Sequence, residues 1–320
     1  MKQKSVFHVK HTEPKAKEPK VGVMIDLKYP LILVHGAGFR DKTFGVNYWG
    51  RIPRYFGREG ITVYYGGTDS WGSIESNGEL LKKTILGVLE KTGAKKVNIL
   101  AHSRGGLEAR YCISALGMET SVASLTTMST PHHGAEAMNI ALKFPILLYR
   151  FISVFVDGWS KLLGDSAPDF YRSSLQLSES QCSEFNRKYP EGNLTSIEVR
   201  RRVPNMDGIY YQSYATVLRF FFGDLMYLFT WIMVRVFDGP NDGLCPVESA
   251  KWANFRGIIS GRRLLGVSHG GILDLYRLPF RGVRVIPPSS EALHGHLYEA
   301  HFSIPELYLF IIRELAEMGY

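Results

Sequence analysis

Residues 97–106 read VNILAHSRGG, an apolar run that ends on Ser103 with small residues on either side. A hydroxyl so placed can be a nucleophile. A parallel strand that turns tightly into a helix lifts one side chain clear of the sheet. The turn closes only if the residues two before and two after that side chain are small. Here those are Ala101 and Gly105, with Gly106 adding room, so the stretch reads as a nucleophile elbow with alanine in place of the usual first glycine. The Oγ is expected near the N-terminus of the next helix, where free N–H groups can hold a developing negative charge. The N–H of Arg104 is one expected donor. The N–H of Ala37, in LVHGAG at 33–38 behind an earlier apolar run, is the expected second.

A serine hydroxyl is a poor nucleophile until a base takes its proton, and the base needs an acid to orient it. Behind an elbow the partners follow in the order Ser, Asp or Glu, His, each on a loop after a later strand. DGPNDGLCPVESAKW at 238–252 offers Asp238 and Asp242. Asp242 follows an apolar run and precedes a glycine in a turn, which suits an acid of this kind better. LLGVSHGG at 264–271 offers His269 after the short apolar run RRLLGV. His301 is the alternative base, and His294 and His296 lie near it. His132 and His133, in STPHHGA, are adjacent on an extended chain and so point to opposite sides. No carboxylate or cysteine near them has metal-ligand spacing. No metal and no cofactor are expected.

Around these residues the elements alternate. PLILVH at 30–35 and VNILA at 97–101 are short continuous apolar runs of the kind a strand buried on both faces shows, and ITVYY at 61–65 reads as another. Between Glu75 and Thr92 the apolar residues Leu81, Ile85, Val88 and Leu89 have amphipathic helical spacing. A helix is expected through Leu107 and Ile113, with Cys112 as a small buried hydrophobe behind Ser103. SVASLTTM at 121–128 is a further strand. Strands alternating with helices give an α/β fold with a mostly parallel sheet covered on both faces.

The alternation stops at 134–205, which reads as an insertion of cap or lid type. Within it FPILLYRFISVFVDGWSKLL, at 144–163, keeps its polar residues Arg150, Ser153, Asp157, Ser160 and Lys161 on one stripe of an otherwise apolar helix, with Pro145 in its first turn. So wide an apolar face must bury itself in a core or cover an apolar cavity. A second apolar segment, at 217–237, carries Asp224 and Arg235. Its uncharged part is about half the ~20 residues a membrane crossing needs, so no transmembrane segment is expected. Residues 21–320 read as one domain behind a flexible basic tail at 1–20. That tail has no apolar core of the signal-peptide kind, so the sequence as it stands reads as cytoplasmic, or as secreted if a signal has been removed.

Composition closes off other classes. A hydrophobic fraction of 45% excludes disorder as the main state, and the three cysteines, Cys112, Cys182 and Cys245, form no CxxC pair. The net charge of +8 comes without a dense basic stripe interleaved with aromatics, so nucleic acid is not an expected partner.

LILVHGAG, VNILAHSRGGLEARY, LTTMSTPHHGA, the NDGL segment and VSHGG together resemble the bacterial true lipases (triacylglycerol lipases) of the α/β-hydrolase superfamily, of the Pseudomonas, Burkholderia and staphylococcal kind. The resemblance runs from about residue 28 to 275, is strongest around Ser103 and weakest through 140–205. It implies Ser103 as nucleophile, Asp242 as acid and His269 as base, with Ala37 and Arg104 as oxyanion donors. It also implies an acylglycerol or other lipid ester as substrate, met at a lipid–water interface through the apolar lid. A carboxylesterase or acyltransferase on shorter or more soluble esters is the alternative with the same triad. Many of these relatives hold a structural calcium with a carboxylate just after the catalytic histidine. Here Gly270, Gly271, Ile272 and Leu273 follow His269, and the nearest carboxylate is Asp274.

Overall fold

The structure, a computed structural model, describes residues 24–143, 146–190, 208–261, 265–275, 282–288 and 296–320. The expected tail, Pro145 and the 191–205 part of the expected insertion, residues 262–264 of RRLLGV, and His294 lie outside them.

A seven-stranded sheet runs β4 (Val63–Tyr65), β1 (Leu31–Val34), β5 (Val97–His102), β6 (Val122–Met128), β7 (Tyr210–Thr216), β8 (Asn254–Gly261) and β9 (Val283–Ile286). All neighbours pair in parallel except β8 and β9. A small hairpin, β2 (Lys42–Thr43) with β3 (Val46–Asn47), stands apart.

The continuous apolar runs sit at the centre because both faces there are covered. Leu31 and Leu33 of β1 point into one core layer, beneath α1 (Ile52–Arg58) and the C-terminal helix Ile304–Glu317. Ile32 and Val34 point into the other, with Leu81, Ile85 and Val88 of α2 (Ile74–Thr92) and Cys112 and Ile113 of α3 (Gly105–Ala115). The amphipathic spacing read in α2 therefore marks the face that meets the sheet. Ser73 caps its start by accepting from the Ser76 N–H, and Gly93, at φ 69°, ends it. ITVYY differs from its expectation. Its strand is only Val63–Tyr65 and half-buried, because it lies at the sheet edge with one neighbour.

The chain leaves β1 towards β4 on one side, whereas from β5 it proceeds towards β6 on the other. The switch point therefore falls between β1 and β5. Loops at the carboxyl ends of two such strands diverge and leave a crevice. Residues 35–40 and Ser103 occupy those two loops.

The described part of 134–205 is helical: α4 (Glu136–Lys143), α5 (Ile146–Leu162), α6 (Phe170–Leu175) and α7 (Glu179–Lys188). Helix α5 turns only part of its polar stripe to the protein: Ser153 and Ser160 are buried and Asp157 accepts from the Phe170 N–H, whereas Arg150 and Lys161 at the edge of the stripe are exposed. Part of the apolar face (Phe155, Val156, Trp159 with Leu163 beyond) borders a cleft of about 400 Å³ shared with Gly38, Ser70 and Trp71. The rest, including Phe151, Val154 and Leu162, is exposed rather than packed in a core. The second apolar segment ends in α8 (Leu228–Phe237), which buries Val234 and exposes Phe229, Ile232 and Val236. No helix among the described residues is long and apolar enough to cross a membrane.

Candidate active site

Ser103 follows β5 with φ at 56°, a left-handed conformation that a side chain adopts only when its surroundings hold it there. The constraints are steric and polar together. A Cβ on Gly105 would run into the His35 and Val34 carbonyls, and one on Gly106 into Thr130. Ala101 is fully buried beneath the turn, and the Ser103 N–H donates to the Met128 carbonyl at 2.9 Å. The small residues read from the sequence are thus those that the turn cannot enlarge.

The structure brings Ser103, His269 and Asp242 together from three loops. Ser103 Oγ lies 2.8 Å from His269 Nε2, and His269 Nδ1 lies 2.8 Å from Asp242 Oδ2. The ring thus donates through Nδ1 to the carboxylate and accepts through Nε2 from the hydroxyl. Asp242 is wholly buried. Oδ2 also accepts from Thr216 Oγ1 at the end of β7, at 2.7 Å, and Oδ1 accepts from the N–H groups of Leu244 and Cys245. Burial would push this carboxyl's pKa up. The electrostatic attraction of His269 beside it and the donated hydrogen bonds outweigh that and hold it below its ordinary value, so it stays a carboxylate. The His269 N–H donates back to the Asp242 carbonyl at 2.8 Å, which ties the two loops by backbone as well.

The other sequence candidates have different tasks. Asp238 accepts from the Glu136 and Ala137 N–H groups and so caps the start of α4. His132 is buried, stacked on Trp252 at 4.4 Å, and bonded to Thr127 and Arg110. His133 Nε2 reaches the Lys251 carbonyl. His301 is exposed just ahead of the C-terminal helix, and the base that meets Ser103 is His269. The three cysteines are free and buried, and burial pushes the Cys112 and Cys182 thiols up to about 12.

The loop after β1 closes over the serine. A Cβ on Gly36 would come within 2.6 Å of Ser103 Cβ, so only glycine lets the two loops approach this closely. Among the described residues the backbone N–H groups of Ala37 and Arg104 have no acceptor. Two further residues hold this loop, and sequence reading passed over both. Tyr48 Oη accepts from the Gly36 N–H at 3.0 Å and lies 2.7 Å from His102 Nδ1. The hydroxyl thus joins the Gly36 backbone to the His102 ring through one oxygen. His102 is wholly buried, and desolvation, then the electrostatic effect of His269 beside it, lowers its pKa far below the ordinary histidine value, so the ring is neutral. Arg104 is buried too: its Nε donates to Glu108 at 2.9 Å and Nη2 to the Ser70 carbonyl at 3.2 Å. That carbonyl also accepts from the Gly38 N–H. Arg104 therefore combines a backbone N–H that has no acceptor among the described residues with a side chain that steadies the facing loop.

Asp274, the nearest carboxylate after His269, is engaged by a cation of the chain itself. Arg51 Nε and Nη2 donate to its two oxygens at 2.6 and 2.8 Å. Both oxygens being taken by a guanidinium, the residues present do not fit a calcium ion at this point. Among the described residues no three His, Cys, Asp or Glu side chains converge as a metal site.

Residues 29–221 match the alpha/beta hydrolase fold family. The chain is similar to a Vibrio cholerae protein named triacylglycerol lipase, 31% identical over 231 residues covering 68% of this chain and 72% of that one. A Burkholderia plantarii protein of the same name is 34% identical over 52% of this chain and 49% of its own. Among solved structures, Staphylococcus hyicus lipase superposes with a TM-score of 0.57 over 95% of this chain and 98% of its own, at 16% identity. A metagenomic carboxyl esterase superposes at 0.60 over 97% and 82%, at 13% identity. At such identities the structural likeness speaks for the fold alone.

Proposed function

The chain belongs to the alpha/beta hydrolase fold family, and from that premise we propose that it is a serine lipase that hydrolyses carboxylic esters of acylglycerols through an acyl-enzyme. The observation that carries the reading is the continuous hydrogen-bonded line from Ser103 Oγ through His269 to the buried Asp242. In the proposed reaction His269 Nε2 takes the Ser103 proton as Oγ attacks the ester carbonyl carbon. The carbonyl oxygen becomes an oxyanion and takes hydrogen bonds from the Ala37 and Arg104 N–H groups. One such donor is typically worth ~3 kcal/mol of barrier. Asp242 keeps the imidazolium oriented and balanced while it exists. His269 then gives its proton to the departing alcohol, and a water activated the same way frees the acid and restores the serine.

Two features support an apolar acyl group. The cleft bordered by Trp71, Phe155, Val156, Trp159 and Leu163 opens beside Gly38 in the donor loop. The relatives' name, triacylglycerol lipase, points the same way. Helix α5 is the proposed lid, and its exposed apolar residues, with those of α8, are the proposed contact with a lipid–water interface. The test compares emulsified trioctanoin with p-nitrophenyl butyrate as substrates. Turnover of the emulsion that disappears in Ser103→Ala is the expected result. Turnover of butyrate alone would make the protein an esterase of small soluble substrates.

A further inference from the structure

The exposed apolar surface beside the site has a charge pattern that an oil droplet does not explain. Three segments carry it: the 39–47 loop and hairpin, with Phe39, Phe44 and Val46; α5 with its C-terminal turn; and the 219–238 segment ending in α8. All three border the site. Phe39 and Tyr48 are in ring contact, α5 borders the cleft at Gly38, and the Tyr227 ring lies 6.4 Å from that of His269.

Within these segments the carboxylates are turned inward. Asp41 accepts from the Gly67 N–H, Asp157 from Phe170, and Asp165 from Ser70, Trp71 and Arg40. Asp224 accepts from Ser268 and Met226, and Asp238 caps α4. The basic residues are not turned inward in the same way. Arg40 pairs with Asp165, but Lys42, Arg150, Lys161, Arg219 and Arg235 are exposed, and none makes an ion pair among the described residues; Lys42 and Arg150 only lie over the rings of Tyr65 and Tyr171. Arg150 and Lys161 lie at equivalent angles along one edge of the apolar face of α5, about 16 Å apart at 1.5 Å per residue.

We propose that this face docks on a bilayer bearing anionic headgroups, with the apolar side chains in the interfacial layer and the five basic groups on the lipid phosphates. The inference rests on the ester-hydrolase reading only for what the docking serves. Long basic side chains flanking an apolar face reach from it to the headgroups. A neutral acylglycerol surface offers those cations no opposite charge. A second copy of the chain would set like charges against one another.

The test uses the full chain carrying Ser103→Ala, so that no lipid is consumed. Sedimentation with vesicles measures binding to phosphatidylcholine alone and to phosphatidylcholine mixed with phosphatidylglycerol. Tighter binding to the mixed vesicles, weakened by salt, is expected. Each basic group near an anionic surface is worth roughly a fivefold change in partitioning, so Arg150→Gln with Lys161→Gln should lose about twenty-five-fold on mixed vesicles and little on neutral ones. The same pair of changes with Ser103 intact leaves turnover of soluble p-nitrophenyl butyrate unaltered. Equal binding to the two vesicle types, or indifference to the double substitution, overturns the proposal. So does a concentration-dependent dimer that binds neither vesicle. Failure of the hydrolase reading would be separate: soluble ester would go unhydrolysed while vesicle binding persisted.

Discussion

The Tyr48 hydroxyl offers a sharp test of how the loop over Ser103 is held. Tyr48→Phe keeps the ring packed against Trp49, Phe39 and His35 and removes two hydrogen bonds, those with Gly36 N–H and His102 Nδ1. The Gly36 N–H is buried, and a buried donor left without an acceptor costs about 1–3 kcal/mol. The peptide that carries the Ala37 N–H is the next in the chain, so the loop recovers that cost by tilting the proposed oxyanion donor out of line. Losing half or more of one donor, at ~3 kcal/mol for the whole, lowers kcat roughly 10- to 100-fold. KM should stay within about twofold, because the donor acts on charge that develops only in the transition state. Steady-state kinetics on p-nitrophenyl butyrate, beside a thermal melt, separates the cases. A lower melting temperature with kcat within about twofold of wild type would refute the reasoning, since the hydroxyl would then only support the fold.

Other substitutions probe the same framework. Asp242→Asn should lower kcat by about 10⁴ because the amide favours the wrong imidazole tautomer. Its folded pKa lies below the ordinary carboxylate value, so Asp242 contributes stability that is fully present above that value and lost as pH falls through the lowered one. Urea titrations of wild type and Asp242→Asn should therefore differ fully near neutrality and begin to converge only below about pH 4, as the carboxylate approaches its lowered pKa. Asp165→Ala strips acceptors from the Ser70 and Trp71 N–H groups and from Arg40, and should destabilise the protein by about 3 kcal/mol in urea unfolding. A chelator should leave activity and melting temperature unchanged, whereas Arg51→Ala, which leaves the buried Asp274 without its guanidinium, should lower the melting temperature.

The elbow was legible because its constraints are local: two small residues beside one serine, after a run buried on both faces. The order of Asp242 and His269 behind it was legible for the same reason, each sitting in a turn rich in glycine. Strand β7 was not. Its residues, YYQSYAT, are polar for a central strand, and they are tolerated because the polar groups find partners such as Thr126 for Gln212 and Trp252 for Ser213. Strand β8, Asn254–Gly261, is equally hard to read, because two glycines interrupt its alternation; the first half of RRLLGV, residues 262–264, lies outside the described residues. The spacing of α5 gave its stripe and could not say which way the stripe pointed. Periodicity is silent on that, and the inward choice depends on Asp157 meeting the Phe170 N–H on the next helix and on Asp165, just past the end of α5, meeting the Ser70 N–H 95 residues away. Tyr48 and His102 escaped notice because their pairing is a contact between distant segments. No spacing encodes it.

The most direct test of the central claim is covalent labelling with a serine-reactive phosphonate, read by intact mass and peptide mapping. A single adduct on Ser103, formed by wild type and lost or greatly slowed in His269→Ala, is the predicted result. An unlabelled protein, an adduct on another serine, or ester turnover surviving in Ser103→Ala would contradict it.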